Sequence, residues 1–315
     1  MTATTVLARF SLFGIFALAL SITGFAQPAR AQVTAFMQAV AEAAASDRDI
    51  AEFYKSNGYK GIWTARGGRD KQRRQAFLRA VSEAPAHGLP ASRYDPETLQ
   101  INLRKVTSER ELGRLEVEMS RLFLRYARYI QNGIVVPSRI DSGMVREVPY
   151  RGRTAILQAF SKSSPQGFIK SLPPKSPEYA RLMKEKMSFE KLLGKGGWGP
   201  KVQARSLKPG QSGNAVVQLR NRLISMGYMP RSASASYDDA MIKAVRDFQA
   251  DHGLAQDGVV GAGTMGEINV DPQTRLTQIM VAMERERWLN MPLGKRLVWV
   301  NFTDFHARIV DDGKI

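Results

Sequence analysis

The stretch from Leu207 to Val270 constrains the fold of this chain more than any other. Three glycine-punctuated landmarks follow one another within it at helical spacing. Val216, Leu219 and Leu223 recur at i, i+3 and i+7, which puts them on one face of a helix that stops near Gly227. Met241, Val245, Phe248 and His252 recur at i, i+4, i+7 and i+11 and mark a second amphipathic helix. Asp238 stands where a short acceptor side chain caps free N–H groups, and Gly253 stands where a chain leaves a helix with positive φ. Thr264 and Glu267 have the spacing of a capping box for a third, short helix. Asp257-Gly258 and Gly261 supply the tight turns before it. Every local signal agrees on a small helical bundle over residues 205–271.

The motifs V-x-x-L-R-x-x-L from Val216, A-V-x-x-F-Q from Ala244 and D-G-x-x-G-x-x-T from Asp257 stand in order within that bundle. In this respect it resembles the three-helix type of peptidoglycan-binding domain. The resemblance implies a cell-wall ligand, with the apolar and glycine positions building the core and turns. Arg220, Arg222, Tyr228, Gln249 and Asp257 carry polar groups near helix ends or beside the glycine turns, where a peptide stem can be held. They are the candidate peptidoglycan-binding residues.

The charge balance agrees with such a partner. The chain has 46 Lys and Arg against 29 Asp and Glu, a net charge of +17, which favours acidic partners or surfaces. Zinc patterns, RNP motifs and lysine-rich tails are missing, so nucleic acid is not the expected partner. A wall rich in carboxylates is the better match. The chain contains no cysteine, which excludes disulfides, cysteine-ligated metals and thiol catalysis within it. His87, His252 and His306 lie far apart without metal-ligand spacing, and the first two each precede Gly-Leu as helix-end residues do. Neither cofactor nor metal is expected.

At the start, Arg9 precedes an apolar run from Phe10 to Ile22, shorter than the roughly 20 residues a membrane-spanning helix needs. Ala29-Arg30-Ala31 then supplies a small-x-small cleavage pattern. Residues 1–31 are expected to be a signal peptide cleaved after Ala31, leaving a periplasmic protein with no stable transmembrane anchor. Residues 32–200 read as a mainly helical scaffold domain. Its expected helices include one from Phe36 to Tyr54, one from Lys71 to Ala84 and a long one from Glu109 to Gln131. The aromatics Trp63 and Trp198 are expected in the core rather than as sugar platforms. Gly194-x-Gly196-Gly197-Trp198-Gly199-Pro200 reads as the domain boundary. Past residue 271, a helix from Arg275 to Trp288 leads to two strands, Val298–Phe302 and Phe305–Val310.

Read in order, Tyr59-x-x-x-Trp63, Ala84-x-x-His87-Gly88-Leu89-Pro90, Leu172-Pro173-Pro174 with Tyr179-x-x-Leu182, and Gly196-Gly197-Trp198 resemble the N-terminal scaffold of large Gram-negative L,D-transpeptidases. Met283-Glu284-Arg285-x-Arg287-Trp288 resembles that family's entry into its catalytic domain, with Met283 in place of the more usual residue. The resemblance implies a mainly α fold: a helical scaffold over 32–200, a three-helix binding domain over 205–271, and the first β-strands of a catalytic domain over 275–315. Such enzymes attack a tetrapeptide stem with a cysteine thiolate activated by histidine. Their His-Gly-Cys segment has no counterpart here, so no catalytic residue is assigned. The expectation is a truncated, inactive protein that binds peptidoglycan and meets other cell-wall enzymes. The alternative is the N-terminal part of a complete enzyme forming 3–3 cross-links.

Overall fold

The computed structural model describes Met1 and residues 33–292, 294–301, 305–312 and 314. The expected leader and its cleavage site fall on residues 2–32, outside those described. From Ala35 onward the chain is one unit, mainly helical, and ends in a two-stranded antiparallel hairpin.

The longest helix organises the scaffold. It runs from Glu109 to Asn132, one residue past the expected end, and Ser108 and Glu111 form a complete capping box at its start. In chain order it is α5. Before it come α1 (Ala35–Ala44), α2 (Arg48–Ser56), α3 (Gly68–Glu83) and α4 (Pro96–Lys105). After it come α6 (Pro137–Ile140), α7 (Arg153–Lys162), α8 (Pro165–Lys170) and α9 (Pro177–Leu193). Helix α1 lies directly on α5 because Gly113 has no side chain there: a Cβ would come within 2.7 Å of the Phe36 carbonyl and 2.8 Å of Ala39 Cβ.

Trp63 is the centre of this core. It is fully buried, its ring centroid 5.1 to 5.6 Å from those of Phe77, Phe123 and Phe160. Removing such a ring from water is worth about 4–6 kcal/mol. The loop carrying it is held by a buried carboxylate. Glu116 on α5 accepts from the Ile62 N–H at 2.6 Å, the Trp63 and Thr64 N–H groups, Thr64 Oγ1 and the Tyr54 hydroxyl. Burial pushes its carboxyl upward, against those donors, which favour the charged form.

One expected helix is two. Instead of running from Phe36 to Tyr54, the chain breaks after Ala44, and Asp47 caps α2 by accepting from the Ile50 N–H. Asp47 also pairs with Arg153 on α7, 106 residues away, at 2.5 Å. A tertiary ion pair fixes this cap against the helix propensity of the alanines.

A second core lies within α10 (Asn214–Met226), α11 (Asp239–Asp251) and α12 (Ala262–Ile268). Val216, Leu219, Leu223, Met241, Val245 and Phe248 are all buried in it, as their spacing requires. Asp238 caps α11, and Gly227 and Gly253 take positive φ. The third helix differs from expectation. It begins at Ala262 after Gly261, and Thr264 lies inside it with its hydroxyl accepting from Gln249 at 3.2 Å.

Helix α13 (Pro272–Trp288) leaves this bundle and packs along α9 and the end of α5. The hairpin follows: β1 (Arg296–Asn301) pairs antiparallel with β2 (His306–Asp311), Trp299 opposite Arg308. Val298, Trp299, Val300 and Ile309 stand exposed on it.

Candidate functional site

The five sequence candidates divide by burial. Arg220 on α10 is buried, and its Nη2 donates to the Ser236 carbonyl at 2.6 Å and to Asp238 at 2.8 Å. It thereby ties the loop ahead of α11 to that helix's own cap. Arg222, two residues on, faces the other way. It donates to the carbonyls of Ile268 at 2.5 Å, Gly199 at 3.1 Å and Val270 at 2.9 Å, and its guanidinium lies 5.6 Å from the Trp198 ring centroid. It satisfies carbonyls left open at the end of α12 and fastens the glycine-rich boundary to the bundle.

Gln249 is equally enclosed. Its amide donates to Asp257 at 2.9 Å and to the Val259 carbonyl at 3.0 Å, while its oxygen accepts from the Gly258 N–H at 2.9 Å. The glutamine of A-V-x-x-F-Q therefore holds the D-G turn of the next motif in shape. Asp257 is exposed and also accepts from the Val259 N–H, and those donors hold its carboxyl below the usual range.

Of the five, Tyr228 lines a cleft. A concavity of about 180 Å³ is bounded by Tyr228, Phe248 and His252 from the bundle and by Trp198 and Phe189 from the boundary, with an ion pair of Glu267 and Arg275 at its side. The Phe248 and His252 rings stack at 3.9 Å, and Tyr228 meets Phe248 edge-on at 5.3 Å. His252 Nδ1 donates to the Phe248 carbonyl at 2.8 Å, which leaves Nε2 as the acceptor. The Tyr228 hydroxyl donates to Asp251 at 3.0 Å, and burial together with that carboxylate pushes its pKa up to about 12. The cleft offers aromatic faces, one ring acceptor and a guanidinium already matched to a carboxylate. It can stack the apolar face of one sugar ring or a small aliphatic side chain against its aromatic wall.

Comparison with protein families places these two cores. A model described as a scaffold domain matches residues 48–185, and one described as a peptidoglycan binding domain matches residues 212–268. The helical bundle is of the peptidoglycan-binding type. A scaffold domain followed by a peptidoglycan-binding domain is the architecture of the large L,D-transpeptidase type. No curated protein matches the chain.

Sequence reasoning did not find Trp198, Phe189, Arg275 and Glu267 as companions of Tyr228. Trp198 stood in the boundary loop and Arg275 at the start of a separate helix, and no spacing rule joins positions so far apart. Among the described residues no cluster of histidine and carboxylate side chains has the makings of a metal site, and no helix is long and apolar enough to cross a membrane.

Proposed function

We propose that this protein holds peptidoglycan in the periplasm, as a member of the large L,D-transpeptidase group whose residues 1–315 carry no thiol nucleophile. The observation that carries the reading is the peptidoglycan-binding bundle with an aromatic cleft at its edge. Tyr228 is the contact residue of that cleft, and Asp257 offers a carboxylate on the exposed turn. Arg220, Arg222 and Gln249 act beneath them by fixing the turns and the boundary. The domains follow the order leader 1–31, scaffold 32–200, binding domain 205–271 and, from 275, the entry to a β-rich catalytic domain. Other cell-wall enzymes are natural neighbours of such a scaffold.

The test is sedimentation with purified sacculi. At 1 M salt, where the Debye length is about 3 Å, the protein is expected to pellet with the wall, and Tyr228→Ala to stay largely in solution. A wild-type protein that stays in solution under those conditions overturns the assignment.

The hairpin favours a second reading. Val298, Trp299, Val300 and Ile309 are exposed on two strands that cover no core, and two strands alone are marginal in water. Completed by further strands, they would begin a catalytic domain that forms 3–3 cross-links, with its cysteine outside these 315 residues. Reading the gene past codon 315 decides it: an in-frame His-Gly-Cys segment supports this second reading, and a stop codon removes it.

A further inference from the structure

A wide concavity lies in the scaffold, apart from the binding bundle. It measures about 1000 Å³ and runs between α3 and α4. Lys71, Gln75, Leu78 and Ser82 line it at i, i+4, i+7 and i+11 of α3, a face about 16 Å long at 1.5 Å per residue. Glu97, Gln100 and Arg104 face it from α4.

Its charge is one-sided. Arg66, Lys71, Arg74, Arg79 and Arg104 line it against the single carboxylate of Glu97. The scaffold pairs cations elsewhere, as in Arg153 with Asp47 and Arg110 with Glu42. Here Arg66, Lys71, Arg79 and Arg104 are exposed and enter no ion pair among the described residues. Arg74 differs: its Nη1 is anchored by the carbonyls of Trp63 and Ala65, the latter at 2.7 Å, and the side chain is half-buried. That anchor hangs from the same loop that Glu116 holds, so one guanidinium of the groove is fixed in advance. Leu78, Leu103, Val106 and Leu112, all partly buried, give the groove an apolar floor.

We propose that this groove is a second binding site, for an extended carboxylate-bearing peptide of the kind that stems supply in peptidoglycan. Unpaired cations spaced along a trough match carboxylates spaced along a chain, and arginine forks suit carboxylates in particular. At about 3.3 Å per residue, a 16 Å face accepts roughly five residues of extended peptide. The apolar floor takes short aliphatic side chains, and the glutamines and Ser82 take peptide N–H and carbonyl groups. A scaffold with this groove grips a stem at one place while the bundle grips the wall at another, so the two contacts reinforce each other. Naming the wall as the source rests on the function proposed above. The preference for an extended polycarboxylate does not.

The experiment uses the full chain and two labelled probes, a glutamate pentapeptide and soluble disaccharide-peptide fragments released from sacculi, with binding read by fluorescence anisotropy. The double variant Arg79→Glu with Arg104→Glu should weaken the glutamate probe by about tenfold or more, since two attractive contacts become repulsive, and the wall fragment, which the bundle also holds, by less. Both side chains are exposed and unpaired, so melting followed by circular dichroism should match wild type; Lys71→Glu is the second variant, with a smaller loss in the same direction. Tyr228→Ala should leave the glutamate probe unaffected. An affinity of the double variant for the glutamate probe within about twofold of wild type overturns the groove, as does loss of that probe in Tyr228→Ala alone. Probe binding without sacculus retention at 1 M salt strikes the bundle's assignment only; retention without probe binding strikes the groove only.

Discussion

Glu284 occupies the space that a side chain on Gly133 would need. Gly133 ends α5 at φ +84°, and a Cβ there would overlap the Glu284 carboxylate and lie 2.9 Å from Trp288 Nε1. That carboxylate accepts from the Val135 N–H at 2.8 Å and pairs with the buried Arg287 at 2.8 Å. Arg287 in turn donates to the His87 carbonyl. The E-R-x-R-W segment, read from sequence as the entry to another domain, is thus also the fastening of α13 onto the scaffold.

Gly133→Ala should therefore cost far more than a methyl group ordinarily does. The positive φ alone contributes about 1 kcal/mol of strain, and displacing one partner of a buried ion pair about 3 kcal/mol more. Urea unfolding of the variant should show the loss, and a change below about 1 kcal/mol would mean that Glu284 moves aside freely.

Glu116 permits a graded version of the same test. Glu116→Ala leaves backbone N–H groups of Ile62, Trp63 and Thr64 without their acceptor in a dry core, a loss of at least about 3 kcal/mol. Glu116→Gln keeps one carbonyl oxygen and turns an amide donor toward the other donors, so it should lose about half as much. Equal losses in both variants would show that charge, not acceptor count, holds the loop around Trp63.

His87 gives the scaffold a pH dependence whose sign is fixed. Burial, with Arg287 and Lys186 nearby, lowers its pKa to about 4, against an ordinary value of 6.5. Between those values the unfolded chain binds a proton that the folded one refuses, so stability falls as pH drops from 6.5 toward 4. The expected loss is about 3 kcal/mol across that window. In His87→Phe the part of the slope between pH 6.5 and 4 should flatten, and an unchanged slope would assign the acid sensitivity to other groups.

Periodicity and end signals carried most of the helices. The long helix announced itself by its apolar stripe and its Ser108–Glu111 box, and the binding bundle by three motifs in register. What sequence could not carry was anything set by a distant partner. Asp47 breaks a continuous helical pattern because Arg153 waits on α7. Thr264 has the spacing of a cap but serves Gln249 instead. Arginines at 220 and 222 suggest exposed ligand contacts by type, yet both are among the largest fully buried side chains because carbonyls from separate loops receive them. The scaffold groove was invisible for the same reason: its cations come from two helices and a loop.

Arg222 makes the boundary between scaffold and bundle testable. Its guanidinium joins Gly199, Ile268 and Val270, and it also stands over Trp198. Arg222→Ala should cost about 3 kcal/mol through the carbonyls it abandons. It should also open residues 194–200 to protease well before either core is cut. Arg222→Lys should restore little, because a single ammonium does not span three carbonyls in fork geometry. Cleavage at an unchanged rate would show that the boundary is held by packing alone.

The final expectation separates the ring of Tyr228 from its hydroxyl. The hydroxyl already donates to Asp251 at 3.0 Å, so it has no hydrogen left for a ligand, whereas the ring faces the cleft with Phe248 and His252. Tyr228→Phe removes one partly exposed hydrogen bond, worth about 1 kcal/mol or less of stability, and keeps the stacking face. Sacculus retention at 1 M salt should therefore be near wild type in Tyr228→Phe and lost in Tyr228→Ala. If the phenylalanine variant fails as fully as the alanine one, the hydroxyl or its Asp251 partner makes the contact, and stacking is not how this cleft holds the wall.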